Sequence, residues 1–553
     1  MNFKYYLVYI LIFVVIEIKA QFYQTLNTSI KPTYSEINEN GDIILVQSTS
    51  FDSVEILNSV LKPLSNPRPI FGRSKEIYIT RIDTNQQILD NIHFYSKEGI
   101  NIIGSYLFND EYYFILTNFD TIFYKDTFYT NDINILQPTY LFKFDFNTRD
   151  LVLCKLIGGG WEWSSIFIDE SYINIGLQFI GSAVIDSNIF NGLKPSFNEK
   201  DIILIKLLRS NYNLKAATTL IGFEDSYPLK LISSDNRNLY LLVDTYSPFL
   251  ICNKDSILFP KSSNGYGLAL KFEEDLTLSK FAATSGIFTD ININNNNSID
   301  IVGNYYNELV INNKAIANSF GLENSFIARF DQLLNLESYK EYKGSGSKRF
   351  SIIGNVNNND IFLGGQFTKQ IHEENNKVTQ SEGDFDALTY FINNNGELVR
   401  KFYFQGDSTE FISKILQKKN GDFFILGHTL SKKLVCSNDI IYPDWDRKST
   451  RINFFLYKID AKLLKSIEIP PKQEDYIRIA SIQLNKIVKI EIISNIVNRI
   501  NIYNSNGHLC NARNITPNKQ LVEIENISVS GLYFISVHLN NGKNFTKKVV
   551  VLD

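Results

Sequence analysis

The chain has 553 residues, 44% of them hydrophobic, and a formal net charge of −4 with both signs scattered along its length. That length is too great for one ordinary core unless the core is built from repeats. No basic stripe appears, which argues against a nucleic-acid partner, and there is no long acidic tail. Tyr (30) and Phe (41) are abundant, as are Ile and Asn, a composition that favours strands joined by turns. An AT-rich genome would write the same excess of Asn, Ile and Lys.

The first residues, "MNFKYYLVYILIFVVIEIKA", place Lys4 before an apolar run from Leu7 to Ile16, with Ala20 at a plausible cleavage point. This is the pattern of a secretory signal peptide over residues 1–20. The alternative, a membrane anchor, needs about 20 apolar residues, and the run stops at Glu17. No second apolar span follows, so no transmembrane segment is expected after cleavage.

From residue 21 to 469 the chain repeats itself. Runs such as "GDIILV", "EYYFIL", "SYINIG", "NLYLLV", "SIDIVG", "DIFLGG" and "DFFILG" each follow a polar turn, at a spacing of about 60 to 70 residues. Each run is the second strand of a four-stranded unit. In the sixth unit the strands are "RFSIIGNV", "IFLGGQF", "FDALTYFI" and "LVRKFYF", separated by Asn/Asp/Gly turns. Seven such antiparallel units predict an all-β fold, a seven-bladed β-propeller of four-stranded blades, its inner strands buried on both faces and its outer strands wetter. Six or eight blades, or two domains, remain open alternatives. For the last place in the seventh blade there are two candidates: "QFYQTLNTS" (21–29), which would close a ring, and "LLKSIEI" (463–469).

Between its second and third strands each unit carries the same insert. It reads "SVEILNSVL", "TIFYKDTFY", "SAVIDSNIF", "FLICNKDSI", "ELVINNKAI", "QIHEENNKV" and "KLVCSNDII", and it is expected to form a short hairpin. Cys252 and Cys436 stand at equivalent places in it, where core residues are expected. With Cys154 and Cys510 they show no CxxC spacing, and isolated buried thiols are the expected state. The stretch "IVGNYYNELVINNKAIANSFGLENSFIARFDQLLNLESYKEYKGSGS" closely resembles the SBBP-type beta-propeller repeat family of secreted bacterial proteins. The resemblance implies a fold and a secreted setting, and carries no catalytic residues.

Pro470 and Pro471 break the period, and 470–476 reads as a linker. Residues 477–553 alternate as short strands, the pattern of a small immunoglobulin-like β-sandwich. Three pieces, "IYNSNG", "SGLYFISV" and "NGKNFTKKVVV", resemble the type A C-terminal sorting domain of type IX secretion in Gram-negative bacteria. The usual Pro-Asn-Pro entry is not visible. The resemblance implies that Gly507, Gly531, Tyr533, Gly542, Lys547 and Lys548 belong to the sorting signal. It also implies that the type IX machinery is the partner, and that the protein is released or attached to the outer surface.

The search for chemistry finds little. His93, His372, His428, His508 and His538 show no ligand spacing, so neither a metal nor a cofactor is expected. No GxSxG elbow appears, and "IGGGWEW" lacks the Lys-Ser/Thr ending of a phosphate loop. Two function classes stay open. One is a non-catalytic module that binds glycan or a surface protein. The other is a propeller-fold polysaccharide hydrolase or lyase, which would need two or three converging carboxylates. For binding, the candidates are the three tryptophans: Trp161 and Trp163 between the second and third units, and Trp445 in the seventh insert. All three are expected on the face where the long loops emerge, since the other face carries only short turns.

Overall fold

The computed structural model describes the strands and most turns between Tyr23 and Val551. Residues 1–22, 27–33, 62–75, 130–137, 159–162, 193–199, 442–452 and 460–476, with shorter stretches of other loops, lie outside the description. Every regular element among the described residues is a β-strand, and every named strand pair is antiparallel. The chain divides into two compact units, Met1–Leu464 and Lys465–Asp553. The proline pair expected at the boundary lies outside the described residues.

The first unit holds seven successive sheets. Tyr34–Ile37, Ile43–Thr49, Glu76–Ile82 and Ile88–Ser96 make the first. Ile100–Phe108, Glu111–Asn118, Thr139–Asp145 and Asp150–Ile157 make the second, and Ser164–Ile168, Tyr172–Ile180, Lys200–Leu208 and Leu214–Gly222 the third. The fourth contains Ser226–Ser233, Leu239–Thr245, Tyr266–Phe272 and Leu278–Thr284; the fifth Ile287–Ile293, Ile299–Tyr305, Asn324–Phe330 and Leu336–Tyr342. The sixth is Lys348–Asn355, Ile361–Phe367, Asp386–Ile392 and Leu398–Gly406. The seventh takes Glu410–Gln417, Phe423–Thr429 and Asn453–Ile459 from its own unit. Its fourth place is filled by Tyr23–Leu26, with Tyr23 opposite Tyr457 and Leu26 opposite Phe454. Of the two candidates for that place, the N-terminal one pairs there. The first strand of each sheet adjoins the first strand of the next, and that of the seventh adjoins that of the first.

Burial corrects one expectation. The second and third strands, not the first, are buried on both faces: Ile299–Tyr305, Tyr266–Phe272, Asp386–Ile392 and Phe423–Thr429 are buried at every position. These strands have a neighbour on each side and a sheet packed on each face. The first strands have a neighbour on one side only, and Ile287–Ile293 and Lys348–Asn355 are partly open. The fourth strands are the wettest, as Leu336–Tyr342 illustrates.

The inserts form hairpins as expected, but those of the second to seventh repeats pair outside their own sheets. Ile122–Tyr124 of the second repeat in the first unit hydrogen-bonds to the outer strand of the first sheet, with Ile122 opposite Ser96. Phe249–Cys252 joins the third sheet, with Leu220 opposite Cys252. Glu308–Ile311 reaches the fourth sheet and Leu434–Cys436 the sixth. The inserts of the third and sixth units make the same link with fewer bonds, Gly158 with Val184 and the His372 amide to the Lys343 carbonyl. Each hairpin buries alternate residues: Ile122, Ala183 with Ile185, Leu250 with Cys252, Leu309 with Ile311, Ile371, and Leu434 with Cys436. Cys252 and Cys436 are thus core residues, and burial pushes the Cys252 thiol up to about 11. Close approach at the joint requires glycine. A Cβ on Gly222 would stand 2.8 Å from the Ser247 side chain, and one on Gly406 would overlap Ser431. Each serine hydroxyl caps the chain just beyond, at the Phe223 and Ser408 amides.

Charges tie strands and sheets. At the short-turn end, an acid at the start of the second strand faces a cation on the third: Asp42 with Arg81, Glu111 with Lys143, Asp300 with Arg329, and Asp422 with Lys458. Arg209 of the third unit also reaches Glu111 of the second sheet, 2.9 Å away. Burial alone would raise the Glu111 pKa, but the bonds from Lys143, Arg209 and Tyr113 outweigh it and hold it at about 2. Glu410 is the opposite case. It is fully buried at the start of the seventh sheet and accepts the Thr429 and Ser431 hydroxyls. Burial first, and then Asp386 of the sixth sheet, raise its pKa well above the usual carboxylate range.

The second unit contains two antiparallel sheets. Ile477–Gln483, Ile487–Ile492 and Leu521–Glu525 form one; Leu509–Asn514, Val497–Asn504, Gly531–Leu539 and Asn544–Val551 form the other, in that order. Cys510 departs from the expectation of a buried thiol. It is exposed, because Leu509–Asn514 is an edge strand of its sheet.

If the hairpins hold the sheets together, Leu250→Ala costs about 2–5 kcal/mol in chemical denaturation. It also speeds amide exchange at Leu220 and Gly222, in the preceding unit; unchanged exchange there would show that the hairpin does not support that strand.

A group with a raised folded-state pKa contributes stability below its ordinary pKa and loses it as pH rises. Glu410 therefore makes the protein less stable from pH 5 to pH 8, a range in which Glu111 stays ionised. Glu410→Gln keeps the two hydroxyl bonds without the titration, and reduces that decline by roughly 1–3 kcal/mol. Equal declines in the two proteins would remove Glu410 as the cause.

Candidate functional site

In each sheet the first strand begins, and the second ends, at the edge where the inserts and the longer loops emerge. Between the third and fourth sheets this edge carries a group of open aromatic rings. Trp163 stands just before Ser164–Ile168 and is 53% exposed; Tyr246 follows Leu239–Thr245 and is 47% exposed. Tyr227, near the start of Ser226–Ser233, lies between them. Its ring meets Trp163 edge-on, with centroids 6.1 Å apart, and Tyr246 edge-on at 6.5 Å. Phe223, 40% exposed, packs on Phe249 at 4.8 Å beside them.

Rigid elements set these rings. The Trp163 carbonyl accepts the Gln178 amide of the neighbouring strand, and the buried Gln178 side chain donates to the Ser226 carbonyl. Tyr246 is held by its amide to the Asp225 carbonyl, while the Ser226 and Thr245 hydroxyls bond at 2.8 Å beneath. Polar groups stand among the rings. Asp225 accepts the Tyr227 hydroxyl at 3.0 Å and the Lys200 amide at 3.2 Å. The Lys200 ammonium sits 5.9 Å from the Tyr227 ring centre and 3.9 Å from Asp225. Asp244, paired across from Tyr227, is raised by burial to about 6. Open ring faces beside a carboxylate, an ammonium and a phenol hydroxyl can receive the apolar faces and hydroxyls of a sugar.

Of the three tryptophans singled out in the sequence, Trp163 is in this group. Trp161 and Trp445 lie outside the described residues. Sequence reasoning missed Tyr227, Tyr246, Asp225 and Lys200. The first three flank the joins between strands and loops in the fourth unit, a position that the repeat alignment marks for every unit, but one Tyr among 30 carries no signal of its own.

Carboxylates on the first strands are held by lysines of neighbouring first strands. Glu36 pairs with Lys414 at 2.9 Å, and Asp290 pairs with Lys230 and accepts the Ile353 amide. No group of three or more His, Cys, Asp or Glu side chains suited to a metal occurs among the described residues. His93 contacts Glu76 and stacks on Tyr78, His428 is buried against Phe411, and His538 bonds Asn501.

The described residues of the expected sorting signal fall on one sheet of the second unit, or on its turn. Gly507 closes the turn after Val497–Asn504 with φ +79°, and its amide bonds the Asn504 carbonyl. Tyr533 is buried and stands opposite both Asn504 and Val549. Gly531 opens the same strand, while Lys547 and Lys548 lie on the edge strand opposite Ile535 and Phe534. Gly542 is outside the described residues.

No family model and no curated protein matches the sequence. Solved structures overlap it weakly, among them three at 10% identity. A protein of unknown function from Bacteroides caccae covers 52% of this chain and 78% of its own, with a TM-score of 0.26. The GH43 protein BlXynB from Bacillus licheniformis, as a mutant, covers 81% and 86% at 0.23. A member of the DUF4221 family from Bacteroides vulgatus covers 65% and 97% at 0.20. Overlaps this low carry no argument about the fold or activity of this chain.

Proposed function

We propose that this chain is an exported surface or secreted protein whose first unit is a seven-bladed β-propeller that binds glycan without catalysis. The single observation that carries the binding reading is the exposed Trp163–Tyr227–Tyr246 group with Asp225 and Lys200 among its rings. The propeller reading is supported by seven consecutive antiparallel sheets and by the adjacency of the seventh first strand to the first. Closure by Tyr23–Leu26 supports it further. Loops on such a scaffold are held in place by the strands beneath them, which favours binding by shape over binding by folding.

Export is proposed from the apolar N-terminal run and from the C-terminal resemblance to type A sorting domains. The strand orders of the second unit, first–second–fifth in one sheet and fourth–third–sixth–seventh in the other, suit an immunoglobulin-like sandwich. On this reading the type IX machinery recognises the second unit and the propeller is the passenger.

Affinity electrophoresis of the full chain through gels containing neutral and acidic polysaccharides tests the binding reading. Retardation by at least one polysaccharide is expected, and Trp163→Ala with Tyr246→Ala abolishes it while stability moves by less than about 1 kcal/mol, as befits exposed positions. No retardation by any polysaccharide, or retardation that survives the double substitution, overturns the reading.

Deletion of residues 541–553 tests export separately. The truncated chain is expected to accumulate in the periplasm of a host with type IX secretion; surface display at the normal level would refute the assignment.

A further inference from the structure

The short-turn end of the first unit also contains a cleft, of about 310 Å³, between the fifth and sixth sheets. Its floor is apolar: Ile327 and Tyr342 from the fifth sheet, Ile361 and Ile392 from the sixth. One wall is cationic. Arg329 stands opposite Ser338, and Ile327 opposite Lys340, in the register of the third and fourth strands. Residues opposite one another, or two apart on a strand, share a face. Arg329, Ser338 and Lys340 therefore rise from the same face as the floor. The facing wall is the turn Asn393, Asn394 and Gly396.

The guanidinium is fixed from behind. Asp300, fully buried, accepts Arg329 Nε at 2.7 Å and Nη2 at 2.9 Å, and takes the Asn294 side-chain amide at 2.8 Å. A guanidinium has five N–H donors in one plane, so a fork that uses one edge leaves another edge directed away from Asp300. Lys340 bridges the cleft to the Gly396 carbonyl at 2.7 Å and brings a second cation to its rim. The carboxylates on the far side are engaged: Asp360 accepts the Asn394 amide, and Glu397 accepts the Asn393 side chain.

We propose that this cleft is a second ligand site, separate from the aromatic group, and that it takes a small organic carboxylate with an apolar body. The volume is at the lower end for ligand sites, which run from about 300 to 1,000 Å³. An apolar body rests on Ile327, Ile361 and Ile392, and the carboxylate meets the open edge of Arg329 and the Lys340 ammonium. A planar, pre-fixed guanidinium favours a carboxylate over a neutral group of the same shape.

Isothermal titration of the full chain with phenylacetate and with phenylacetamide tests this. Phenylacetate is expected to bind with a Kd on the order of 1 mM, as suits a fragment of its size, and the amide at least about tenfold more weakly. Lys340→Gln weakens phenylacetate about threefold or more. Arg329→Lys, which keeps a cation for the buried Asp300 and so spares the fold, weakens it about tenfold. Trp163→Ala with Tyr246→Ala leaves it unchanged. Equal affinity for acid and amide, no heat of binding by phenylacetate up to high millimolar concentration, or full affinity in both cleft variants overturns the proposal.

Discussion

The fourth strand of each sheet is an edge with unpaired backbone groups, and the structure of the first unit depends on how that edge is covered. The hairpin of the following unit covers it, with main-chain bonds at Ser96, Leu220, Thr284 and Phe404. Each hairpin also drives alternate apolar residues into the seam, so the cover is held by burial as well as by bonding. The first six sheets each take a strand or bond from the repeat after them. The seventh sheet completes itself with Tyr23–Leu26, from the opposite end of the unit. That pairing joins the most distant parts of the unit and is the contact with the largest loop-closure cost.

The seams also decide where ionisable groups are tolerated. Glu111 is surrounded by Lys143, Arg209 and Tyr113, and its charged form is favoured. Glu410 sits where two sheets bring carboxyl groups together among hydroxyls, and its neutral form is favoured. Both lie at joints between units, so the joints respond to pH in opposite senses at the two ends of the range.

The two candidate sites use the same frame differently. At the loop end, Trp163 just precedes the first strand of one sheet, Tyr227 lies in the first strand of the next, and Tyr246 just follows that sheet's second strand. Gln178 links the two strands, its backbone amide donating to the Trp163 carbonyl and its side-chain amide to the Ser226 carbonyl. At the short-turn end, the Asp300–Arg329 pair is one of several acid–cation pairs between second and third strands. In the fifth sheet it also opens on a cleft. A feature that braces strands in one sheet thus presents a donor edge in another.

The sequence by itself determined the all-β class, the seven units, the four strands in each of the first six, and the hairpin in every insert. These follow from alternating apolar residues and Asn/Asp/Gly turns, which are local signals. It also marked Cys252 and Cys436 as core, because equivalent positions in other units carry apolar residues. Only the tertiary structure decided which edge each hairpin covers, since a hairpin has the same sequence whether it pairs with its own sheet or the previous one. Tertiary packing likewise made the second and third strands, and not the first, the most buried, because burial depends on neighbours on both faces. Trp163 was legible as a candidate because Trp is rare; Tyr227, Tyr246, Asp225 and Lys200 were not, because ordinary residues gain a role only when separate units bring them within 7 Å of one another. The cleft around Arg329 was invisible for the same physical reason: its floor and its donors belong to two sheets whose spacing is set by packing, and no local pattern records it.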